Sequence, residues 1–360
     1  MSNKLLLPYN SGSLDLKNRT VMAPMTRSRA TSDNIPVDLM TEYYRQRATA
    51  GLIITEGTSP SPNGLGYSNI PGIFNQKQVE GWKKITDAVH HEGGKIFVQL
   101  MHTGRIGHQL NLPEGAEVFA PSAIAAAGQM YTVKGGMQDH PEPRAFTTAE
   151  VKTTIKEFVD AARNAVEAGF DGVELHGANG YLIEQFINPK TNIRTDEYGG
   201  SIENRSRFLL EIAGQVRQAI GKDKVGVRFS PHGAFNDMPA YDEVDETYTY
   251  LAEKLNEMEI LYIHVLDHSS GNNSPEITHV KGIIRSRFQN IIIFCGGFNK
   301  EKAESELDKG IADLIAFGVP FLTNPDLIER MKIGAELNQP DFGTFYTPGE
   351  KGYTDYPFLS

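Results

Sequence analysis

Short apolar runs rich in β-branched residues recur along the chain, and each is followed by a longer stretch with helical spacing of its apolar positions. The runs predict strands over residues 19–24, 51–56, 95–100, 172–176, 225–229, 260–266, 291–295 and 313–317. The intervening stretches predict helices over 39–50, 76–92, 149–168, 202–220, 242–258, 275–288, 300–309 and 325–334. Eight strands, each followed by a helix, match the count of a closed (β/α)8 TIM barrel. A doubly wound sheet would more often carry a glycine-rich dinucleotide turn after its first strand, whereas residues 21–29 read VMAPMTRSR.

Two segments exceed a minimal barrel. Residues 101–147, rich in Gly, Pro and Ala, separate the third strand from its helix and are too long for a plain connection, so they read as a lid. The tail, 338–360, carries Phe345, Tyr346, Tyr353 and Tyr356, too aromatic for a disordered end, and is expected to fold back over the barrel mouth. With no repeat, low-complexity tract or linker, residues 1–360 read as a single domain.

Composition narrows the function classes. Forty-five acidic residues against 35 basic ones give a formal charge of -10, and the absence of a Lys/Arg-rich run argues against nucleic acid as a partner. The run Leu5-Leu6-Leu7 is broken by Pro8, too short for a signal segment, and no stretch nears the roughly 18 apolar residues of a membrane span. A single cysteine, Cys295, cannot form an internal disulfide, which fits a reducing compartment and a cytoplasmic location. With no His or Lys adjacent in sequence, it reads as structural.

Strand parity supplies candidate chemistry. Alternate residues of a barrel strand point to the interior and to the helices, and functional groups gather at the C-terminal strand ends. If Ile96, Val98 and Leu100 face the helices, Phe97, Gln99 and Met101 face in; by the same rule Glu174 and His176 face in, as does Arg228. A buried arginine is costly unless paired, and Glu174 is the nearest partner by strand order. Gln99, His176 and Arg228 thus meet at one mouth; singly, Gln99 or His176 reads as a satisfied core residue and Arg228 as a structural ion pair with Glu174, but their convergence at the catalytic face points to an active site. Gly296 and Gly297 after the seventh strand, and Gly318 after the eighth, stand where barrel enzymes often bind phosphate through backbone N–H groups, although Gly-Gly is also an ordinary turn.

Longer strings are more specific. Residues 23–27 (APMTR), 176–182 (HGANGYL), 192–205 (NIRTDEYGGSIENR) and 352–357 (GYTDYP) closely resemble the old yellow enzyme family of FMN-dependent ene reductases, in order and across essentially the whole chain. Within it the chain is similar to the bacterial N-ethylmaleimide and pentaerythritol tetranitrate reductases. The resemblance implies FMN at the barrel mouth, reduced by NADPH or NADH and reoxidised by activated alkenes, nitro compounds or quinones. It implies no metal, and a monomer or homodimer.

Carried over by motif, Pro24 and Thr26 lie against the flavin ring, with Gly57, Gln99, Arg228, Gly296, Gly297 and Gly318 completing the cofactor set. His176 and Asn179 match the pair that binds the substrate oxygen. Tyr181 matches the proton donor that completes hydride transfer from flavin N5. Tyr67, Met101, Phe345 and Tyr346 match positions around the substrate. Two residues depart from the family pattern: Met101 stands where several bacterial relatives carry Trp, and Val319 where the family usually has an arginine that contacts the FMN phosphate. Lys300 or Lys302 would be the nearest compensating cation in sequence. The rival readings are a flavin-binding barrel that holds ligands with little turnover, and a phosphosugar isomerase or aldolase, which would want a catalytic Lys or Glu at the strand ends.

Overall fold

The structure is a computed structural model that describes residues 3–269 and 274–359. Eight parallel strands close into a barrel: β1 (Thr20–Met22), β2 (Leu52–Thr58), β3 (Ile96–Leu100), β4 (Gly172–Gly177), β5 (Val225–Phe229), β6 (Tyr262–Leu266), β7 (Ile291–Cys295) and β8 (Leu314–Phe317), with β8 pairing back onto β1. Between and after them run α1 (Asp38–Gln46), α2 (Gln76–His91), α3 (Thr148–Glu167), α4 (Ile202–Ile220), α5 (Val244–Glu257), α6 (Pro275–Arg287), α7 (Lys300–Lys309) and α8 (Leu327–Ile333). This is the (β/α)8 barrel that the apolar pattern predicts. Helix starts follow local chemistry: Thr147 and Glu150 form a reciprocal capping box on α3, while Asn75 and Ser201 cap α2 and α4.

Strand ends differ from expectation where backbone donors run out or side chains intervene. Pro24 has no N–H to continue β1. The first helix stops at Gln46 rather than at 50, because residues 47–50 turn back (Ala50 N–H to Arg47 O) and the Arg47 guanidinium is drawn inward onto the carbonyls of Tyr43, Phe321 and Leu322.

Two apolar layers follow from strand parity. Ile96, Val98, Val173, Leu175, Val225 and Val227 pack outward against the helices. Val21, Leu52, Ile54, Phe97, Tyr262 and Ile293 fill the interior, and Leu14 and Leu16 of a short N-terminal ribbon join them. Bulky rings sit beside glycines: a Cβ on Gly226 would meet Tyr262 at 2.1 Å, its partner in register.

Residues 101–147 hold two small ribbons, Phe119–Ala120 beside Arg144–Ala145 and the hairpin Gln129–Thr132 with Gly136–Asp139. Ile106, Ala126 and Met130 of this excursion pack with Leu65, Ile70 and Met101 around Tyr181. The C-terminal tail is bound through its carbonyls: Arg27 donates to Phe345 O and Gly352 O, Arg29 to Thr344 O and Phe345 O, and Tyr353 stacks on Tyr43 with centroids 4.0 Å apart. No helix among the described residues is long and apolar enough to cross a membrane.

Candidate active site

Register brings the polar side chains together. His176 pairs with Arg228 and Arg228 with His264 across β4, β5 and β6, while Glu174 lies beside Gln99. Neighbours in register on parallel strands point to the same face, so these five enter the barrel interior at its C-terminal end. All five are buried.

The expected Arg228–Glu174 ion pair is not formed. Glu174 instead accepts from Gln99 Nε2 at 2.8 Å and holds His264 Nδ1 at 2.8 Å. Burial disfavours charge on His264, but Glu174 outweighs burial and the nearby Arg228, so the imidazole is held above its ordinary value. Burial raises Glu174 in turn, and His264, Arg228 and Gln99 bring it below the usual carboxylate range. His264 was missed in the sequence, although a lone polar residue at inward parity in an apolar strand was the available signal. It also changes the reading of Cys295: burial raises the thiol, but His264 and Arg228 prevail and lower it. Arg228 reaches Cys295 Sγ at 3.8 Å, and its Nε is buried without a partner. A guanidinium left partly unsatisfied at a barrel mouth is oriented to receive something else.

Above this row, the segment after β4 is shaped by two successive left-handed residues, Asn179 (φ 60°) and Gly180 (φ 73°), after which Tyr181 opens a short helix, Leu182–Ile187. A Cβ on Gly180 would come within 2.8 Å of Phe235 O and Met238 Cγ. The turn is tied from below: Asn179 N–H donates to Ser230 Oγ at 2.8 Å, Ser230 donates to Glu184, and Gly180 N–H donates to Glu184 at 2.6 Å.

This turn brings His176, Asn179 and Tyr181 together. The Tyr181 ring stands edge-on to His176 with centroids 5.0 Å apart, and its hydroxyl lies 2.9 Å from that of Tyr67. Burial pushes the Tyr181 phenol well above its usual value, with Tyr67 adding to the rise. Burial, Arg228 and His264 hold the His176 imidazole well below its own, and its Nδ1 is buried without a partner. The Asn179 carboxamide oxygen faces His268 Nε2 at 2.9 Å.

The remaining positions are distributed around the mouth. Pro24, Thr26, Gly296 and Gly318 are half-buried and Gly297 is exposed. The space beside Gly57 is filled by Met101, whose Sδ would lie 2.4 Å from an added Cβ. The rings of the consecutive residues Phe345 and Tyr346 have centroids 6.5 Å apart, and Tyr346 is largely exposed. Val319 offers no charge, and Lys300, one candidate substitute, donates to Met331 O at 2.7 Å.

Glu184 gives the turn a pH signature. Burial pushes its carboxyl up to about 8, against the hydrogen bonds from Gly180 and Ser230. The unfolded chain releases this proton near pH 4.5, the folded one near 8, so stability is lost as pH rises through that window at about 1.4 kcal/mol per pH unit. Glu184→Gln is expected to remove this component. Urea unfolding at pH 5, 6, 7 and 8 checks it: the variant should gain on the wild type with each step, and a constant gap would show that Glu184 is already ionised.

Comparison with known proteins finds relatives over nearly the whole chain. Residues 4–338 match the NADH:flavin oxidoreductase / NADH oxidase family. A probable flavin mononucleotide-dependent alkene reductase of Leishmania infantum is 42% identical over 360 residues, covering 99% of this chain and 97% of the relative. The 12-oxophytodienoate reductase 7 of Oryza sativa subsp. japonica is 40% identical over 375 residues, covering 99% and 94%. Among solved structures, morphinone reductase in complex with tetrahydroNAD superposes with a TM-score of 0.94 at 43% identity, covering 100% of this chain and 98% of that one. The old yellow enzyme homologue from Zymomonas mobilis also gives 0.94, at 40% identity over 99% and 100%. The chain belongs to the NADH:flavin oxidoreductase / NADH oxidase family and is an FMN-dependent oxidoreductase.

Proposed function

We propose that this protein reduces the activated C=C bonds of α,β-unsaturated carbonyl and nitro compounds, and quinones, with NADPH or NADH as reductant. The observation that carries the reading is the convergence of His176, Asn179 and Tyr181 on one turn above the buried Arg228. The alkene-reductase name of the Leishmania relative supports the reaction class. A reducing cytoplasm, where nicotinamide reductants are supplied, suits a chain with one buried free thiol.

FMN fits the residues present. The unpartnered Arg228 Nε and His176 Nδ1 are orphaned polar atoms at the mouth, and an added Cβ on Gly318 would meet nothing closer than Met25 at 3.5 Å. Pro24, Thr26, Gln99 and Arg228 would hold the ring system, and backbone groups around Gly296, Gly297 and Gly318 the phosphate. FMN, when bound, supplies the hydride chemistry.

The chain's own groups do the rest. Because Glu174 is taken up by His264, the Arg228 charge is not cancelled by a direct ion pair and favours negative charge placed against it. His176 and Asn179 act as neutral donors to the substrate oxygen, stabilising charge that develops there. Tyr181 delivers the proton to the α-carbon. Residues 101–147 act as the lid, with Ile106, Ala126 and Met130 keeping water from the phenol.

The test is optical. Yellow holoenzyme should bleach with NADPH under anaerobic conditions and recover its colour on adding 2-cyclohexenone. A flavin-binding barrel with little turnover, the reading that Val319 favours, would hold FMN but show no enone-driven recovery.

Val319 also carries its own expectation. An arginine–phosphate contact contributes roughly 1.5–3 kcal/mol, so Val319→Arg should tighten FMN binding about 10- to 150-fold. Val319 is 37% exposed, which leaves room for the longer side chain. Dissociation constants from FMN fluorescence quenching check it; no gain would mean that the phosphate is already neutralised by another cation.

A further inference from the structure

The carboxamide of Asn179 must present its NH2 end to act as a donor, yet its two ends are nearly the same size and only the hydrogen-bond network distinguishes them. The backbone of Asn179 is fixed on both sides: its N–H is held by Ser230 Oγ and its carbonyl accepts from Asn236 Nδ2 at 2.8 Å. Side-chain rotation is the freedom that remains.

We propose that His268 is a positioning residue that sets this rotation, holding Asn179 Oδ1 so that the NH2 group points to the substrate oxygen. The inference rests on the reading of His176 and Asn179 as the oxygen-binding pair. His268 Nε2 lies 2.9 Å from Oδ1, and with an oxygen facing it the imidazole is the donor. No described residue accepts from the opposite, NH2 end. If the carboxamide turned over, an oxygen lone pair would face the substrate oxygen, replacing attraction with repulsion.

The imidazole is itself held in place. It stacks on Phe235 with centroids 5.9 Å apart and planes 9° apart, and it backs onto Gly233, where an added Cβ would come within 2.9 Å of Cδ2. The preceding residue, Asp267, is anchored by Lys281 Nζ at 3.0 Å and by Ser269 N–H at 2.8 Å. His268 is exposed and lies outside the apolar core, so replacing it loses the Phe235 stack but leaves the core intact. None of the strings that carry the family resemblance includes it.

The test is a double-mutant cycle on oxidised holoenzyme, with 4-hydroxybenzaldehyde as the probe and its long-wavelength charge-transfer band as the readout. H268A should weaken binding about three- to tenfold, H268Q should restore most of the loss, and H268A should add nothing in an N179A background. An H268A loss that persists undiminished in the N179A background, or an unchanged H268A in the presence of a normal N179A loss, overturns the proposal alone. Unchanged affinity in N179A overturns the oxygen-binding pair and, with it, this inference.

Discussion

Reduced enzyme carrying Tyr181→Phe is expected to be reoxidised by 2-cyclohexenone about 100- to 10,000-fold more slowly than the wild type, the range of a lost general acid. Reduction by NADPH should stay near the wild-type rate, since it needs no phenol. The substitution is conservative for packing: the ring that stands edge-on to His176 is kept, and only the hydroxyl bonded to Tyr67 is removed. Because burial holds the phenol well above its ordinary value, it remains an acid throughout the working pH range. Stopped-flow measurement of the two half-reactions separately decides the matter, and equal slowing of both would remove Tyr181 from the role. Nitro compounds should be affected less, because a nitronate can leave without protonation by the enzyme.

His176→Ala is expected to slow the same reoxidation about 100- to 1,000-fold, the usual cost of one donor to a developing oxyanion. Burial and the charges of Arg228 and His264 keep this imidazole neutral, so the effect should not vary between pH 5 and 8 through titration of His176. Affinity for 4-hydroxybenzaldehyde should fall in parallel. A charge-transfer band formed with wild-type affinity in the variant would show that His176 does not bind the oxygen.

Much of the fold was legible because the strands of a parallel barrel are covered on both faces and appear as short apolar runs. Parity then separated Val173 and Leu175, which pack on helices, from Glu174 and His176, which do not. What parity could not give was partnership. Glu174 has Gln99 and Gly226 as register neighbours, and its choice of His264, two strands away, depends on ring size and reach across the interior. The Tyr67–Tyr181 contact joins residues 114 apart through the segment that covers them, and neither periodicity nor motif spacing encodes that distance. His268 follows an apolar strand as one polar residue among several, and only its position against Asn179 distinguishes it.

The arginine clamp on the tail bears on the order in which the molecule can be made. Arg27 bonds a carbonyl 318 residues later in the chain, and Arg47 one 306 residues later, so these guanidinium groups emerge from the ribosome long before their acceptors. Ring closure has the same requirement, since β1 must wait for β8. Pairings this distant carry a large loop-closure cost and form late. Until β8 and the tail carbonyls are released, β1 has β2 beside it but not its second neighbour, and Arg27 and Arg47 have Tyr43 but not their C-terminal acceptors, which makes the nascent chain, rather than the finished enzyme, the state that needs protection from aggregation.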